Sequence, residues 1–421
     1  MAHRPSILIK FLKALGPGLI TGAADDDPSG IATYSQAGAQ FGYGLTWTMF
    51  LTLPFMAAIQ IISACIGWGA QSGLTKNIAA QLPKPVMYGL VTLLVVANTI
   101  NIAADLAAMG DSLRLVIGGP SVAYAVAFGI ACVIAEVFIP YHRYAGYLKF
   151  LTMVLFVYVA AAFSVDIPWS KVAFSTIVPT FSLDRDFWLT IVAVFGTTIS
   201  PYLFFWQASQ EAEESSLSHK RKQGVQALSH AAFNHISVDT WSGMIFSNLI
   251  AYFIIVTTAA TLNTHGVTRI DTAAQAAEAL RPIAGNLTFA LFASGIIGTG
   301  LLAVPVLAGS AAYAVAEAFG LRGSLELPAN RALGFYGIIS AATLAGAALV
   351  LTNVDPIAML FWTAVINGVV AVPIMFAMVF IVASKRGIQL FQIPRWLRIV
   401  GWLGAWLMGA TVLLLVWTSI F

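Results

Sequence analysis

Three consecutive aspartates lie inside the first long apolar stretch of this sequence. The stretch covers residues 14–36, and Asp25, Asp26 and Asp27 stand in its middle, directly before Pro28. A carboxylate near the centre of a bilayer costs roughly 2.5–3.5 kcal/mol on insertion scales. Proline lacks an N–H group and disfavours helix in the residue that precedes it. The stretch is therefore predicted to form two half-helices joined by an unwound, acidic connection.

An unwound connection inside a membrane must have its backbone polar groups satisfied, which restricts where it can lie. Non-helical backbone is tolerated at that depth only where it is buried in protein or lines a wet cavity. Ionisable side chains in such places commonly mark ion pathways. We therefore interpret the Asp25–Asp27 connection, together with the hydroxyl of Ser29, as a cation site.

Composition places the whole chain in the membrane. Of 421 residues, 59% are hydrophobic and 9% are charged, and the mean hydropathy is +0.85. Soluble domains carry about 25% charged residues. The basic start of the chain lacks the features of a cleaved signal peptide. We expect a single all-α transmembrane domain over residues 1–421, and nothing indicates a nucleic-acid partner.

Eleven apolar runs approach the length of about 20 residues that crosses a bilayer. They cover residues 14–37, 45–69, 86–110, 120–139, 146–166, 186–212, 231–262, 285–318, 332–352, 354–384 and 397–420. If the N-terminus is cytoplasmic, sixteen Lys and Arg residues lie inside and five outside. Basic residues concentrate on the cytoplasmic side of membrane proteins. We expect an integral protein of a bacterial inner (plasma) membrane with its N-terminus in the cytoplasm.

The sixth apolar run also contains a break signal. Thr197 and Ser200 precede Pro201 in its middle, so an interior hydrogen bond is lost and nearby carbonyls are freed. A simple proline kink is the alternative interpretation. Two interrupted helices at corresponding positions of two halves, however, are typical of secondary transporters with an inverted repeat. The predicted repeats are residues 1–166 and 186–384, each with five helices, and residues 397–420 form an extra helix.

The two breaks together offer only hard oxygen ligands. Carbonyls at the ends of the first half-helices, those of Ala24 and Thr197, have no partner within their own helix. The carboxylates of Asp25–Asp27 and the hydroxyls of Ser29 and Ser200 stand beside them in the sequence. Neither break contains Met, Cys or His. The predicted ligand is therefore a hard cation, which is the substrate and not a resident cofactor; we expect no cofactor.

Four short motifs resemble the natural resistance-associated macrophage protein (Nramp) family of divalent-metal transporters. They are Gly16-Pro17-Gly18, Asp27-Pro28, Asp105-Leu106-Ala107 in the third run, and Ser200-Pro201. The resemblance covers nearly the whole chain. It implies an amino-acid/sodium-symporter-like fold in which the metal is held between the first and sixth helices.

The sequence departs from the family pattern at the metal site. Typical members carry Asp-Pro-Gly-Asn at the first break, where this chain has Ser29 and Gly30. At the second break they carry Ala-x-x-Met-Pro-His, where this chain has Thr197, Ser200 and Tyr202. Oxygen-only sites favour Mg²⁺, Ca²⁺ or Mn²⁺ over softer metals. The pattern resembles the Nramp-related magnesium transporters, so we expect Mg²⁺ and/or Mn²⁺ as the substrate.

Proton coupling is an open alternative from the sequence. Asp105 is present, but Ala108 stands at the position of a second acid, and Tyr202 and Gln207 stand at the positions of family histidines. We therefore expect uptake that need not be coupled to protons, and a proton-coupled Mn²⁺/Fe²⁺ importer is the alternative.

Polar residues elsewhere in the bundle form a predicted proton pathway or outer layer of the site. They are Asn98, Asn101 and Asp105 in the third run and Asn367 in the tenth. The alternative for Asp105 is a carboxylate that only hydrogen-bonds to Asn98 and Asn101. Asn367 is expected to make a hydrogen bond between helices.

Other functions fit the sequence less well. A sodium-coupled organic-solute symporter shares the implied fold, but three aspartates disfavour an organic anion. Asp27 and Asp105 lie on separate runs, as the carboxylates of an intramembrane protease would, yet no protease motif accompanies them. The sequence predicts a transporter and not an enzyme, and it leaves the oligomeric state open.

Overall fold

A computed structural model describes residues 17–139, 152–222, 229–352 and 355–420. Within these ranges the chain forms helices and no strands. Nine helical spans there are long and apolar enough to cross a membrane. The broken first run and the partly described fifth run complete the predicted pattern of eleven. The start of the fifth run, residues 146–151, and the N-terminal residues 1–16 lie outside the described part of the chain.

The helices are numbered in chain order. They are α1 (Pro17–Asp25), α2 (Pro28–Phe41), α3 (Trp47–Ala70), α4 (Leu74–Ala79), α5 (Lys84–Ile117), α6 (Ser121–Phe138), α7 (Phe156–Ala162), α8 (Trp169–Ile177), α9 (Arg185–Thr198), α10 (Pro201–Lys222), α11 (His230–Thr261), α12 (Ala273–Glu278), α13 (Arg281–Ala284), α14 (Thr288–Phe319), α15 (Leu333–Leu349), α16 (Pro356–Ala383), α17 (Lys385–Phe391) and α18 (Arg395–Ile420). Short 3₁₀ turns occupy Gly42–Leu45, Thr152–Leu155, Asn263–His265, Gly285–Leu287, Ala329–Arg331 and Val350–Thr352.

Both predicted breaks are present. The first run is interrupted between α1 and α2, and the sixth between α9 and α10. The structure also adds helix where the sequence predicted connections. Helix α10 continues to Lys222 because Glu, Gln, Ala and Lys are good helix formers and no Gly or Pro follows Pro201 within it. Helix α8 likewise lies in the connection between the predicted runs 146–166 and 186–212.

Helix α11 lies against both halves of the broken first run. A Cβ atom at Gly22 of α1 would be 2.3 Å from the carbonyl oxygen of Gly243, and one at Gly38 of α2 would be 2.4 Å from that of Ile255. Glycine permits such close approach of helix backbones in membranes. At the start of α1, the Gly18 N–H donates to Asp239 Oδ2 at 2.6 Å. An unbroken helix thus supports the interrupted one on both sides of its break.

Candidate cation-binding site

The first break is built by its own sequence. Asp27 has extended backbone geometry (φ −70°, ψ 170°) and is the N-cap of α2, where its carboxylate accepts the Gly30 N–H. Aspartate is a favoured N-cap because its oxygen pairs with an otherwise unpaired N–H of the first turn. Pro28 occupies the first helical position, where a missing N–H costs nothing. The sequence Asp27-Pro28-Ser29-Gly30 therefore restarts the helix at membrane depth.

The Asp27 carboxylate is surrounded by donors. Its Oδ1 accepts from the Gly30 N–H and from Ser29 Oγ, both at 2.7 Å. Its Oδ2 accepts from Asn101 Nδ2 of α5 at 3.0 Å. The same amide also donates to Asp105 Oδ2 at 3.4 Å, and Asn367 Nδ2 of α16 donates to Asn101 Oδ1 at 3.5 Å. Asp27 thus belongs to a buried polar network that joins α2, α5 and α16.

Asp25 and Asp26 contact a different helix. Ser247 Oγ of α11 lies 2.6 Å from Asp25 Oδ2 and 3.0 Å from Asp26 Oδ1. A hydroxyl has a single hydrogen, so it donates to these two oxygens in turn or shares one hydrogen between them. Asp25 Oδ1 and Asp26 Oδ2 are buried and have no hydrogen-bond partner among the described residues. No ion pair of the described chain includes either aspartate.

The second break carries hydroxyl and carbonyl oxygens. Helix α9 ends at Thr198 and α10 begins at Pro201. Between them, Ser200 Oγ donates to the carbonyl oxygens of Gly196 at 2.9 Å and Thr197 at 2.8 Å. The serine therefore binds carbonyls that the end of α9 leaves unpaired. A carbonyl oxygen has two lone pairs, so Thr197 retains capacity for a ligand.

The two breaks are in direct contact. Tyr202 Oη, in the first turn of α10, donates to the carbonyl oxygen of Ala24 at 2.9 Å. A Cβ atom at Gly30 would be only 3.0 Å from Thr197 Oγ1, so a larger residue there would separate the two helices. The ends of α1 and α9 and the starts of α2 and α10 therefore meet at one place.

The structure brings the predicted ligand residues to this junction. Asp25, Asp26, Asp27, Ser29, Ala24, Thr197 and Ser200 are all at most 2% exposed. Of the predicted outer layer, Asn101, Asp105 and Asn367 join Asp27. Asn98 does not, because its amide donates to the Leu307 carbonyl and to Ser310 Oγ of α14. The assignment of these residues to a bound cation stays a prediction.

The junction is not a preformed carboxylate cage. Within the described ranges, no three Asp, Glu, His or Cys side chains are arranged so that they could hold a metal ion. A cation would therefore combine one or two carboxylates with hydroxyl, carbonyl and water oxygens. Mg²⁺ is usually bound in this way because it dehydrates reluctantly.

Sequence reasoning missed two contacts of the junction, Ser247 beside Asp25 and Asp26 and the Tyr202 hydroxyl on Ala24. It predicted Asp239 as a capping or gating residue, but not that its partner is the start of α1. Ser247 and Asp239 share one helix, eight residues apart, which places them on similar faces. That spacing of polar residues in an apolar run was the available signal.

Two cavities flank the closed junction. One of about 430 Å³ lies beyond α2 and is lined by Gln36, Asp186, Asp271 and Asp355, among others. On one wall of this cavity, Gln36 connects α2 to a loop. Its side chain donates to the Thr268 carbonyl and accepts the Ile270 N–H. We call this cavity the outer vestibule, following the predicted topology.

The other cavity, of about 620 Å³, lies near α4 and the C-terminal end of α14. Tyr313 of α14 lines it and donates to Glu213 of α10 at 2.8 Å. Tyr313 also accepts the Leu325 N–H at 3.2 Å. These contacts hold α10 against α14 on the predicted cytoplasmic side. The junction lies between two cavities and is open to neither.

A helical bundle with two interrupted helices in contact, and with buried carboxylates where they meet, defines a membrane transporter of the broken-helix type. The chain belongs to the family described as natural resistance-associated macrophage protein-like, which matches residues 18–418. The family resemblance in the sequence motifs is thereby confirmed.

Similar proteins agree with this assignment. The divalent metal cation transporter MntH of Yersinia enterocolitica is 27% identical over 298 residues, which cover 69% of each chain. The structure of an Eremococcus coleocola manganese transporter mutant is similar with a TM-score of 0.72 at 16% identity, covering 100% of this chain and 96% of the other. The structure of the nucleobase-cation-symport-1 transporter Mhp1 is similar with a TM-score of 0.56 at 13% identity, covering 96% of this chain and 92% of the other. The expected amino-acid/sodium-symporter-like fold class is therefore confirmed.

Proposed function

We propose that this protein is a secondary transporter that takes up divalent cations, Mg²⁺ and/or Mn²⁺, by alternating access around the two helix breaks. Membership of the Nramp-like family supports a metal cation as the substrate. The observation that carries the choice of cation is the chemistry of the junction. Every side-chain donor predicted there is an oxygen, and Ser200 and Tyr202 stand where typical family members have methionine and histidine.

The proposed ligands have distinct parts in the site. Asp27 supplies a carboxylate whose direction is fixed by Gly30, Ser29 and Asn101. The carbonyls of Ala24 and Thr197 and the hydroxyl of Ser200 supply neutral oxygens from the facing break. Such neutral ligands and retained waters suit a hard, partly hydrated ion.

Asp25 and Asp26 add negative charge on the α11 side of the same break. Their unpaired oxygens are available to a cation without the loss of an existing hydrogen bond. A buried carboxylate is stabilised when an opposite charge lies nearby. In this proposal the pair attracts the cation to the junction and contributes ligands beside Asp27.

The membrane potential is sufficient to drive this uptake. Moving one charge through 100 mV is worth about 2.3 kcal/mol, so a divalent ion gains about 4.6 kcal/mol. That energy sustains an inward gradient of roughly 10³. Gln207, at a position where the family has histidine, is a neutral amide that donates to Thr240 Oγ1 at 2.9 Å. An amide does not gain or lose a proton near neutral pH, so Gln207 cannot relay one, which supports uptake without proton coupling.

A proton-coupled Mn²⁺/Fe²⁺ importer is the second candidate. Asp105 lies in the Asp27 network, and its Oδ1 is buried without a hydrogen-bond partner in the described chain. That carboxyl is available as a proton carrier next to the substrate site. The organic-solute symporter has support from the fold similarity to Mhp1 alone.

One experiment separates these functions. The purified protein is placed in proteoliposomes with an inside-negative potential and a trapped pH dye, and Mg²⁺ and Mn²⁺ uptake are measured. Mg²⁺ uptake without internal acidification is the expected result. Mn²⁺ uptake with acidification, and none of Mg²⁺, would instead establish the proton-coupled importer. Absence of flux for both ions would refute cation transport.

A further inference from the structure

An apolar groove lies between α3, α8 and α11. Its volume is about 470 Å³, and its walls include Leu53 of α3, Ala173 of α8 and Leu249 of α11. Small-molecule sites have volumes of roughly 300–1,000 Å³. Phe50 and Ile177, which also line the groove, are 68% and 79% exposed. The groove is therefore open on one side and large enough for part of an apolar molecule.

The open side of the groove faces lipid. Helices α3 and α11 both belong to stretches that are long and apolar enough to cross a membrane. The part of α11 that lines the groove runs from Ile245 to Phe253, about 12 Å at 1.5 Å per residue. One leaflet of the hydrocarbon core is about 15 Å thick. The groove therefore extends over most of one leaflet and is continuous with the lipid-facing surface of both spans.

This leaflet is the one on the side of the outer vestibule. The hydroxyl of Thr180, three residues after α8, donates to the Gly44 carbonyl at 2.7 Å. Gly44 follows the end of α2, where Gln40 lines the outer vestibule. By the predicted topology, the groove lies in the outer leaflet.

Helix α8 has the residue distribution of a helix in the membrane interface. Phe174 and Ile177 are exposed, and Lys171 lies about 200° around the helix from Ala173. Interfacial helices bury an apolar side among the acyl chains and keep basic residues on the polar side. Trp169, at the start of α8, is also exposed, and tryptophan is enriched at membrane surfaces. Helix α8 therefore forms a lipid-facing wall of the groove instead of extending into solvent.

The polar side chains on the groove wall already have partners within the protein. Thr176 Oγ1 donates to the Val172 carbonyl at 2.7 Å and lies within hydrogen-bond distance of Tyr252 Oη, at 3.0 Å. Asn248 Nδ2 donates to the Met49 carbonyl at 2.8 Å. The wall thus offers mainly apolar contact, which disfavours a polar or charged occupant. Apolar cavities stay dry and take up apolar molecules.

We propose that this groove binds one acyl chain of an outer-leaflet phospholipid, whose head group lies in the interface beside α8. Free acyl chains are as apolar as the groove, so the gain comes from van der Waals packing. The groove surrounds the chain with three helices, and the bound chain in turn holds α8 against α3 and α11. This proposal does not depend on the identity of the transported cation.

Helix α11 places the acyl chain close to the candidate cation site. Ser247 follows Ile245 by two positions and so lies on nearly the opposite side of α11. There its hydroxyl contacts Asp25 and Asp26. The lipid therefore contacts the same helix that holds these two aspartates.

The first test maps the lipid on the full-length protein. The protein is placed in nanodiscs of phosphatidylethanolamine and phosphatidylglycerol with a trace of phosphatidylcholine that carries a diazirine in the middle of one acyl chain. After irradiation, cross-linked residues are identified by mass spectrometry. Leu53, Ala173 and Leu249 should be enriched by about fivefold over other lipid-exposed residues, which corresponds to about 1 kcal/mol.

Groove-filling variants make this test specific. Ala173→Trp places an indole in the groove and should remove the enrichment at Leu53 and Leu249. Ala123→Trp is the matched control, because Ala123 is exposed near the start of α6 and does not line the groove. Ala173→Leu, a smaller filling, should lower the enrichment in part and replaces Ala173→Trp if the indole prevents folding.

Three outcomes of the first test would overturn the proposal. The first is uniform cross-linking over the lipid-exposed surface of the wild type. The second is an enrichment that a folded groove-filling variant leaves unchanged. The third is a dimer that Ala173→Trp dissociates, since the groove would then hold a second copy of the chain.

The second test locates α8 relative to the bilayer. Spin labels are attached in Lys171→Cys and in Ile177→Cys, while the native Cys65 and Cys132 are buried. Oxygen concentrates in hydrocarbon and should relax the label at position 177 more strongly, whereas a water-soluble nickel complex should relax the label at position 171. Equal access of the nickel complex to both labels would place α8 in solvent and refute the lipid-facing groove.

Discussion

The three aspartates of the first break have two very different environments. Asp27 receives three hydrogen bonds from α2 and α5. Asp25 and Asp26 share one hydroxyl of α11, and each keeps an oxygen without a partner in the described structure. All three are buried to about the same degree. Burial therefore does not distinguish them, but the supply of donors does.

This difference assigns two roles to the aspartates: Asp27 is an oriented ligand, whereas Asp25 and Asp26 attract the cation. A carboxylate with several donors is held in one position at low cost, which suits a ligand that must meet the substrate in a fixed geometry. A pair of carboxylates with one shared donor is poorly compensated in a low-dielectric site. Such a pair gains most when a cation arrives. The comparison predicts that the two sides of the break respond differently to substitution.

The largest effect is expected at Asp27. Asp27→Asn keeps an N-cap acceptor, since Asn and Asp cap helices about equally well, but it removes the charge. Uptake should fall by about 100-fold or more without loss of folding, because a key charged ligand is lost. Uptake by proteoliposomes and thermal unfolding are the measurements.

Asp27→Ala serves as the companion variant. It should abolish uptake as well and should also lower the free energy of unfolding by about 1 kcal/mol, because the cap is lost. Near-normal flux in Asp27→Asn would place the substrate elsewhere.

A smaller effect is expected on the α11 side. Ser247→Ala removes the hydroxyl shared by Asp25 and Asp26. That hydroxyl stabilises the charged form of the carboxylates, which is the form that binds a cation, so the cation KM should rise by about tenfold, or about 1.4 kcal/mol. Ser242→Ala is the matched control. Ser242 lies on the exposed side of the same helix, and its hydroxyl donates to the carbonyl of Val238 one turn earlier. Equal KM values for the two variants would mean that the Asp25–Asp26 side takes no part in cation binding.

A change of selectivity is expected at the second break. Ser200→Met brings a thioether to the junction, and soft ligands favour softer metals. Preference for Cd²⁺ or Mn²⁺ over Mg²⁺ should rise by about tenfold at most in competition assays. Ser200→Ala controls for the lost hydrogen bonds to Gly196 and Thr197. If both variants keep the wild-type selectivity series, Ser200 does not face the ion.

The smallest effect is expected at Tyr202. Tyr202→Phe loses one hydrogen bond to the Ala24 carbonyl, which should lower the free energy of unfolding by about 1 kcal/mol and change uptake by less than about threefold. Tyr124→Phe, which loses a similar bond to Gly118 in a more exposed place, is the control. A loss of uptake beyond tenfold in Tyr202→Phe would make the phenol part of the transport chemistry.

The fold could be predicted because membrane insertion imposes length and hydrophobicity on each helix. The breaks at Pro28 and Pro201 could be predicted for the same reason, because a proline inside a membrane-spanning run removes a helix hydrogen bond and kinks or breaks the helix. The continuation of α10 to Lys222 was not visible. Its polar residues give no apolar pattern. Helix-forming residues favour the extension, and tertiary hydrogen bonds such as that from Tyr313 to Glu213 hold it in place.

The site could be predicted only in part. Asp27, Ser29 and Asn101 were identified from charge and spacing, and the structure places them in one network. The sequence could not divide the three aspartates between α5 and α11, because that division depends on which helix packs on each side of the break. The different fates of Asn98 and Asn101 depend in the same way on the partner helix.

The support of α1 and α2 by one continuous helix has a mechanical consequence. In the proposed alternating access, any movement of α1 about its connection to α2 would require α1 to slide along α11, where Gly22 and Gly243 are in backbone contact and Asp239 holds the first turn. Ser247 binds Asp25 and Asp26 at that connection. A cation bound to Asp25 and Asp26 would therefore also affect how easily α1 moves along α11. The Ser247 hydroxyl is the group that connects the two, because it joins both aspartates to α11.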